Sequence, residues 1–347
     1  MNIVVFGLSI TSSWGNGHAT TYRGLLREMA KRGHSVLFLE RDAAWYAANR
    51  DLPHPPYCRT AIYSSFPALL AEYAEEICEA DCVMVGSYVE QGVEIGDWVT
   101  ENARGITAFY DIDTPVTLAA LEAGRCRYLS ADLISRYHLY LSFTGGPILS
   151  EIERIYRSPA ARPLYCSVDP EVHYPLAQAP CWDLGYLGTY SKDRQPGLEL
   201  LLCIPASQWQ QGRFVVAGPQ YPAEIRWPEN TERIDHLPPE SHRGFYCSQR
   251  FTLNLTRKFM QAAGYSPSVR LFEAAACAVP VISDRWAGLE EFFVPEKEIL
   301  IASSSDEMLD ILQGFPEKER QAIGERARQR ALSSHSAARR AEELERY

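Results

Sequence analysis

The amino-acid sequence predicts an α/β protein built from two doubly wound domains. Short apolar segments alternate with segments of helical spacing over residues 2–156, and the alternation resumes over 184–313. A proline-rich passage from Pro159 to Pro180 interrupts it and is typical of a connector between domains. A chain of 347 residues is long enough for two domains that each bury a core.

The first half opens on the apolar segment 2–7, a predicted strand. A helix is predicted over 20–31, because Leu25, Leu26 and Met29 share one helical face and Gly33 follows as a stop. The further predicted strands are 35–40, 82–86, 106–111 and 138–143, and the further helices are 67–79, 92–101, 115–123 and 147–156.

The second half repeats this order. Its predicted strands are 184–187, 214–217, 252–255, 279–282 and 299–301, with helices at 196–203, 268–277 and 306–313. From Pro316 the chain is almost continuously helix-forming. We therefore expect a first domain over 1–165, a second over 166–315, and terminal helices over 316–347. Doubly wound domains bind ligands at the carboxyl ends of their strands, so two of them are expected to place two sites across a cleft.

Composition and charge narrow the classes of partner. Hydrophobic residues make up 46% and charged residues 22%, as in a globular protein, and no apolar run approaches a membrane span. The net charge of −10 argues against binding a nucleic-acid backbone. The arginines near the C-terminus are interleaved with glutamates, which indicates a solvated helix surface.

Cysteine and histidine usage predicts neither disulfides nor a metal. The nine cysteines contain no C-x-x-C pair, and the N-terminus lacks the features of a signal peptide, so we expect free, buried thiols in a reducing cytoplasm. The eight histidines show no H-E-x-x-H or similar spacing, and no metal is expected.

The most informative segment runs from Ser266 to Asp284. Pro267 and Ser268 predict a helix start with Ser268 as the cap, and the N–H groups of such a start, beginning at Val269, attract phosphate. Glu273, one turn further in, is placed to accept hydrogen bonds from ribose hydroxyls. The alternative is that Glu273 pairs with Arg270 on a solvated face and that Ser268 only caps the helix.

Residues 270–293 resemble the nucleotide-binding half of GT-B glycosyltransferases, particularly the spore-maturation (CgeB-like) group. The matching stretches are Arg270-Leu-Phe-Glu-Ala-Ala-Ala-Cys-Ala-Val-Pro280, Asp284 and Gly288-Leu-Glu-Glu-Phe-Phe293. The resemblance implies a GT-B fold, a nucleotide-sugar donor that is most often UDP-linked, and transfer without a metal or other cofactor. It also implies that Glu273 holds the donor ribose and that the terminal helices return to the first domain. Where the commoner pattern has a second glutamate, this chain has Tyr265.

Other residues of the second domain extend the expected donor site. Gly188 follows the first strand and lets a ligand approach the backbone, and Arg194 lies within reach of a diphosphate; a plain turn is the alternative. The segment Leu253-Asn-Leu-Thr-Arg257 recurs in the CgeB-like group. Its Asn254 and Arg257, together with Asp284 after the next strand, complete the predicted donor set.

In the first domain, two groups of residues are candidates for the acceptor side. Gly15 and Gly17 lie in the loop that leads to His18, which is either a general base or a helix-cap or hydrogen-bonding residue. Asp111 and Asp113 follow a strand and are predicted to be ligands of the sugar or acceptor. The alternative is that Asp113 or Thr114 caps the next helix. His18 and Asp113 are the candidate catalytic residues.

The sequence leaves three functions open. The first is transfer of a sugar from a nucleotide-diphosphate donor to an unidentified acceptor, with retention favoured by the resemblance of the Glu273 region. The second is a nucleotide-sugar-binding protein without catalysis. The third is a dinucleotide oxidoreductase, in which Gly15-Asn-Gly17 opens a helix and Glu40 holds a ribose, although Thr20 occupies the third glycine position.

Overall fold

The computed structural model describes residues 1–14 and 17–347. The chain forms two compact units, one made of Met1–Cys166 with Ala337–Tyr347 and the other of Ser167–Ser336. The terminal helices predicted over 316–347 are therefore divided between the two units, with residues 316–336 in the second unit and 337–347 in the first.

The first unit contains seven strands: β1 (Asn2–Gly7), β2 (Ser35–Arg41), β3 (Arg59–Tyr63), β4 (Cys82–Gly86), β5 (Ile106–Asp111), β6 (Leu139–Ser142) and β7 (Ala161–Pro163). Its helices up to residue 155 are α1 (Gly17–Lys31), α2 (Ala44–Ala47), α3 (Phe66–Glu79), α4 (Gly92–Asn102), α5 (Thr114–Glu122), α6 (Ala131–Ile134) and α7 (Pro147–Ile155).

The strands of the first unit form one parallel sheet in the order β3-β2-β1-β4-β5-β6-β7. Its central strands are apolar runs because both faces of the sheet are covered. Phe6, Leu39, Val85 and Phe109 are completely buried along neighbouring strands. The order reverses beside β1, so the carboxyl ends of β1, β4 and β5 lie at a switch point where doubly wound sheets bind ligands.

The second unit contains β8 (Trp182–Leu187), β9 (Phe214–Ala217), β10 (Thr231–Ile234), β11 (Gln249–Asn254), β12 (Val281–Ser283) and β13 (Leu300–Ile301). Its helices are α8 (Gln195–Leu198), α9 (Ile204–Gln208), α10 (Pro239–Cys247), α11 (Lys258–Ala263), α12 (Val269–Ala276), α13 (Ser305–Gly314) and α14 (Glu317–Ser334). The last helix of the chain, α15 (Ala337–Arg346), belongs to the first unit and packs on α1, whereas α14 packs on α12.

The second sheet is also parallel, in the order β10-β9-β8-β11-β12-β13. Leu184, Val216, Leu253 and Ile282 are completely buried on its central strands. The switch point lies between β8 and β11, so the ends of these strands and of β12 are the expected ligand edge. Each unit thus has the predicted doubly wound architecture, and the predicted fold class is confirmed.

The helix expected over 196–203 is more complex than predicted. The structure has α8, then a π-helical turn over Glu199–Cys203, and then α9, so the helix extends through Pro205 instead of ending before it. A proline is tolerated there because the wider π-turn changes the hydrogen-bond partner at this point.

Two further properties bear on function. The structure pairs none of the nine cysteines in a disulfide, and Cys166, Cys247 and Cys277 are the buried ones, so the expectation that the thiols are buried is wrong for the other six. Across residues 1–14 and 17–347, none of the helices combines the length and the apolar character that crossing a membrane requires.

Candidate functional site

The carboxyl edge of the second sheet is organised around the Asn254 side chain at the end of β11. Its Oδ1 accepts hydrogen bonds from Ser268 Oγ at 2.7 Å and from Arg270 Nη1 at 3.0 Å. Its Nδ2 donates to Ser283 Oγ at 2.9 Å. Asn254 is completely buried, so the prediction that it contacts the donor is wrong; it holds the start of α12 against β11 and β12 instead.

The start of α12 differs from the prediction in one respect that matters for binding. Ser268 occupies the N-cap position in an extended conformation, but its side chain makes no capping hydrogen bond to the helix. The reason is that Ser268 Oγ donates to Asn254. The first turn, which begins at Val269, is therefore not capped by this hydroxyl, and its N–H groups and dipole favour an anion.

Gly188 lies where the backbone of two loops comes close together. A Cβ atom on Gly188 would lie 2.9 Å from Arg270 Nη2, and one on Gly218 would lie 2.1 Å from the Gly188 carbonyl oxygen. Gly218 also has φ +137, which side-chain-bearing residues rarely adopt. Arg270 donates from Nε to the Leu187 carbonyl at 2.6 Å, which ties α12 to the end of β8.

Asp284 closes the next strand end and holds the segment after β11. Its two carboxylate oxygens accept from Thr256 N at 3.1 Å and from Thr256 Oγ1 at 2.9 Å. Burial raises the pKa of Asp284, although the hydrogen bonds from Thr256 act in the opposite direction. The contacts make Asp284 a support for the segment that leads to Arg257.

Arg257 and Arg194 both lie near Asp193. Arg257 Nε is 4.0 Å from Asp193 Oδ2, which also accepts from Lys258 N at 3.0 Å. Burial acts to raise the pKa of the Asp193 carboxyl. The net pKa is nevertheless lowered, because hydrogen bonds from Ser191 and from Lys258 N, together with the Arg257 charge, outweigh the effect of burial.

Arg194 stands at the start of α8 and donates from Nη2 to the Thr189 carbonyl at 2.8 Å. Its Nε has no hydrogen-bond partner within residues 1–14 and 17–347. This guanidinium therefore retains a donor for an anionic ligand, and Arg194 and Arg257 are the two predicted donor residues that keep cationic groups at this edge.

Glu273 lies one turn into α12 in a buried cluster. The Glu273 side chain is 4% exposed, its Oε2 accepts from Tyr246 OH at 2.8 Å, and its Oε1 is 3.8 Å from His173 Nε2. His242, on the same helix as Tyr246, belongs to the cluster, and burial lowers its pKa despite the Glu273 charge. Glu273 has no hydrogen bond to Arg270 and is buried, so the alternative in which it pairs with Arg270 on a solvated face is excluded. The proposed contact of Glu273 with the donor ribose stays a prediction.

In the first unit, Tyr88 brings the two predicted catalytic residues together. Tyr88 OH donates to Asp113 Oδ2 at 2.8 Å, and the Tyr88 ring stacks on His18 with centroids 6.1 Å apart and planes 13° apart. Burial and the nearby Asp113 carboxylate raise the pKa of Tyr88, which keeps the phenol a hydrogen-bond donor. The three groups lie beyond the ends of β1, β4 and β5.

Asp111 does not lie where a ligand would reach it. It is completely buried and accepts hydrogen bonds from Tyr140 OH, from Thr117 Oγ1 at 2.8 Å and from Asp113 N at 3.2 Å. Burial raises its pKa to about 6. The expectation that Asp111 contacts the sugar or acceptor is therefore wrong; its carboxylate fixes the backbone at Asp113.

The helix-capping alternative for Asp113 is also wrong, because its side chain makes no capping bond to α5. Of the acceptor-side glycines, Gly15 lies outside the described residues. Gly17 is the first residue of α1 and is exposed, directly before His18.

Glu40 tests the oxidoreductase hypothesis. Its Oε2 accepts from Ile10 N at 2.8 Å and from Thr11 N at 3.1 Å, and its Oε1 accepts from Thr11 Oγ1 at 2.6 Å. It is completely buried. Both oxygens hold the loop after β1, so Glu40 is not available to a ribose, and this hypothesis loses its main residue.

Four residues described at these two sites were not predicted: Tyr88, His173, His242 and Tyr246. Tyr88 follows β4 and has φ 64, a left-handed conformation that no residue-type signal announced. His173 lies in the proline-rich passage that was read only as a connector. Tyr246 lies on α10, which was missed because Pro238, Pro239 and Gly244 disrupt a helical pattern.

Comparison with known proteins agrees with this geometry. Residues 194–346 match the family model described as glycosyl transferase-like. No curated protein is similar enough in sequence to count as a match. The predicted enzyme class, glycosyltransferase, is confirmed at the level of this domain.

Solved structures cover the whole chain at low identity. Sucrose-phosphate synthase from Thermosynechococcus elongatus is 14% identical with a TM-score of 0.73, covering 99% of this chain and 97% of its own. Anabaena HepE in complex with UDP and glucose is 13% identical with a TM-score of 0.72, covering 100% and 98%. An alpha-glucosyltransferase in complex with UDP is 12% identical with a TM-score of 0.71, covering 100% and 99%. The chain has the GT-B fold of these glycosyltransferases.

Proposed function

We propose that this protein transfers a sugar from a UDP-linked donor to an acceptor that has yet to be identified. The observation that carries the proposal is the carboxyl edge of the second sheet within a glycosyl transferase-like domain. An α12 start without a side-chain cap lies at this edge, and Arg194 and Arg257 follow the ends of β8 and β11 there. Two structurally similar proteins, HepE and the alpha-glucosyltransferase, form complexes with UDP, and this supports UDP as the nucleotide here.

In this proposal the diphosphate binds the N–H groups of α12 from Val269 onward and the two guanidinium groups. A helix start supplies N–H donors and a positive dipole end, and arginine pairs well with phosphate oxygens. Gly188 provides the backbone approach beside them. Glu273 receives the ribose, which requires one of its oxygens to turn from the His173 side towards the ligand.

The first unit supplies the acceptor-side groups. Tyr88 holds Asp113, and His18 stacks on the same ring, so both predicted catalytic residues belong to one hydrogen-bonded and stacked group. Asp113 binds the transferred sugar or the acceptor hydroxyl. His18 orients the acceptor, and it is the candidate base if the reaction inverts.

We further propose retention of configuration, no metal at the reacting bond and a CgeB-like specificity class, all of which rest on the sequence of the Glu273 region. The spacing of the nine cysteines, which contains no C-x-x-C pair, supports a reducing compartment, and hence a cytoplasmic location. The net charge of −10 argues against a nucleic-acid acceptor.

The test is turnover with a panel of UDP-, GDP-, ADP- and dTDP-linked sugars, with donor hydrolysis and sugar transfer followed by mass spectrometry. UDP release from one UDP-sugar is expected, and NMR of the product is expected to show the donor's anomeric configuration. UDP binding without hydrolysis or transfer across the panel would support a non-catalytic binding protein instead. Absence of binding to every nucleotide-sugar would reject the proposal.

A further inference from the structure

Three potential metal ligands meet in the interior of the second unit, although they are far apart in the sequence. His173 precedes β8, His242 lies on α10 and Glu273 lies on α12. One ligand atom from each residue lies within 4.8 Å of the others. His173 is 2% and Glu273 3% exposed, so the group is not a chance meeting of surface side chains.

His173 is the residue that most needs an explanation. Both of its ring nitrogens are buried and lack a hydrogen-bond partner in the described part of the chain. Its closest ionic group is the Glu273 carboxylate, with Nε2 and Oε1 separated by 3.8 Å, which is too long for a hydrogen bond. Buried polar groups without partners are rare in folded proteins, and a missing ion is one of their usual causes.

The other two ligands are already oriented by neighbouring groups. Tyr246 OH donates to Glu273 Oε2 at 2.8 Å, which leaves Oε1 facing His173. His242 Nε2 lies 3.2 Å from the Leu237 carbonyl, which only accepts, so Nε2 carries the proton and Nδ1 keeps its lone pair. Such outer contacts, from a carbonyl to imidazole and from a hydroxyl to carboxylate, are typical of metal sites.

We propose that His173, His242 and Glu273 bind one divalent transition-metal cation of the zinc class. Two imidazoles and a carboxylate are ligands that suit Zn²⁺. Because Zn²⁺ is usually four-coordinate, these three ligands leave a fourth position for water. Ligand distances of about 2.0–2.2 Å place the ligand atoms roughly 3.3–3.6 Å apart. The 3.8 Å pair of His173 and Glu273 therefore has to close by a few tenths of an ångström, and the separations to His242, which are within 4.8 Å, by up to about 1 Å.

The ion would tie three segments of the second unit together: the stretch before β8, α10 and α12. The inference does not depend on the proposed function. With Oε2 held by Tyr246, Glu273 Oε1 cannot bind the ion and also turn towards a ribose, so a bound ion would exclude the ribose role of Glu273. The test therefore uses the metal alone and omits nucleotide.

The test is Zn²⁺ titration of the full chain after chelator treatment, with a chelating dye as competitor and bound metal counted by mass spectrometry. The wild type is expected to bind one tightly held ion per chain and to melt at a higher temperature with it. His173→Ala and His242→Ala are each expected to weaken binding at least ~100-fold, since loss of an outer contact alone costs about 10–100-fold. The matched control is His236→Ala, an exposed histidine of the same unit, which should bind as the wild type does.

Co²⁺ substitution gives a second readout that does not need a folded His173 variant. Tetrahedral nitrogen and oxygen ligation is expected to give visible absorption bands in the wild type that disappear in His242→Ala. A near-ultraviolet thiolate band would place the ion on cysteines and overturn the assignment. No saturable Zn²⁺ binding in the wild type, or equal affinity in the wild type and the three histidine variants, would also overturn it and leave the three residues as a buried polar cluster.

Discussion

The carboxyl edges of the two sheets have the same topology and opposite chemistry. The edge of the second unit carries Arg194 and Arg257 beside a helix start, whereas the corresponding edge of the first unit carries Asp113, Tyr88 and His18. Each edge is held in place by a completely buried polar side chain, Asn254 in the second unit and Asp111 in the first.

This difference separates two tasks. Guanidinium groups and helix N–H groups suit the phosphates of a nucleotide. A carboxylate, a phenol and an imidazole instead suit the hydroxyls of a sugar or acceptor. The comparison predicts that damage to the second edge reduces nucleotide affinity, and damage to the first edge reduces turnover.

The largest expected effect concerns the buried support of the first edge. The folded-state pKa of Asp111 is about 6 against 3.8 for an ordinary aspartate, so the folded protein binds this proton more tightly than the unfolded chain does. Stability therefore falls as pH rises from about 4 to 6, by about 3 kcal/mol from this group. Urea unfolding of wild type and Asp111→Asn between pH 4 and 7 measures it. The difference in the free energy of unfolding between the wild type and Asp111→Asn should change between pH 4 and 6. A difference that stays constant over this range would contradict the account.

Asp113→Asn should lower turnover by about 100-fold and leave UDP affinity unchanged, because the carboxylate acts on the sugar or acceptor. Steady-state kinetics and calorimetry with UDP measure the two quantities. Tyr88→Phe removes only the hydroxyl that holds Asp113 and should lower turnover by a smaller factor. Loss of UDP affinity in Asp113→Asn would place the nucleotide at the first edge.

His18→Ala distinguishes the two stereochemical outcomes. Retention predicts a loss of about tenfold with no ionisation assignable to His18 in the pH–rate profile, whereas a general base predicts about 100-fold or more. Product configuration by NMR, measured on the wild type, must agree with the kinetic result. Near-full activity in both His18→Ala and Asp113→Asn would remove the acceptor role from this edge.

Arg194→Ala and Arg257→Ala should each weaken UDP binding by about 10–30-fold and UMP binding less, since their proposed partner is the distal phosphate. Calorimetry with both nucleotides measures the ratio. The matched control is Arg213→Ala, an arginine of the same unit at the opposite end of β9. An equal loss of affinity for UDP and for UMP would show that neither arginine contacts the distal phosphate. The N–H groups at the start of α12 would then be the remaining proposed diphosphate ligands.

Glu273→Gln has the smallest expected effect, about tenfold in UDP affinity, because the amide keeps the size of the side chain and one acceptor oxygen. Affinity for 2′-deoxy-UDP should change less than affinity for UDP. Unchanged UDP affinity in the folded variant would remove the ribose role from Glu273 and leave its contacts with Tyr246 and His173 as its function.

The sequence predicted the second edge better than the first. Strands such as β1, β4, β5 and β9 were predicted with the bounds the structure has, because their buried apolar runs end at clear turn residues. Arg194, Arg257 and the start of α12 were found because a strand end followed by a helix start has a local signature.

The remaining features depend on long-range contacts that spacing in the sequence does not reveal. The group of His173, His242 and Glu273 draws on positions 69 and 31 residues apart, so a search for short ligand motifs passed over it. Asn254 and Asp111 looked like ligands because they follow strands, and only their complete burial shows that they support their neighbours.

Hydrogen–deuterium exchange with and without UDP tests the assignment of the nucleotide to the second unit most directly. Slower exchange is expected in peptides that cover 188–198 and 254–273, including the first turn of α12. Peptides from 106–146 in the first unit should be unaffected or change much less. Protection concentrated at 106–146, with none at the start of α12, would contradict the account.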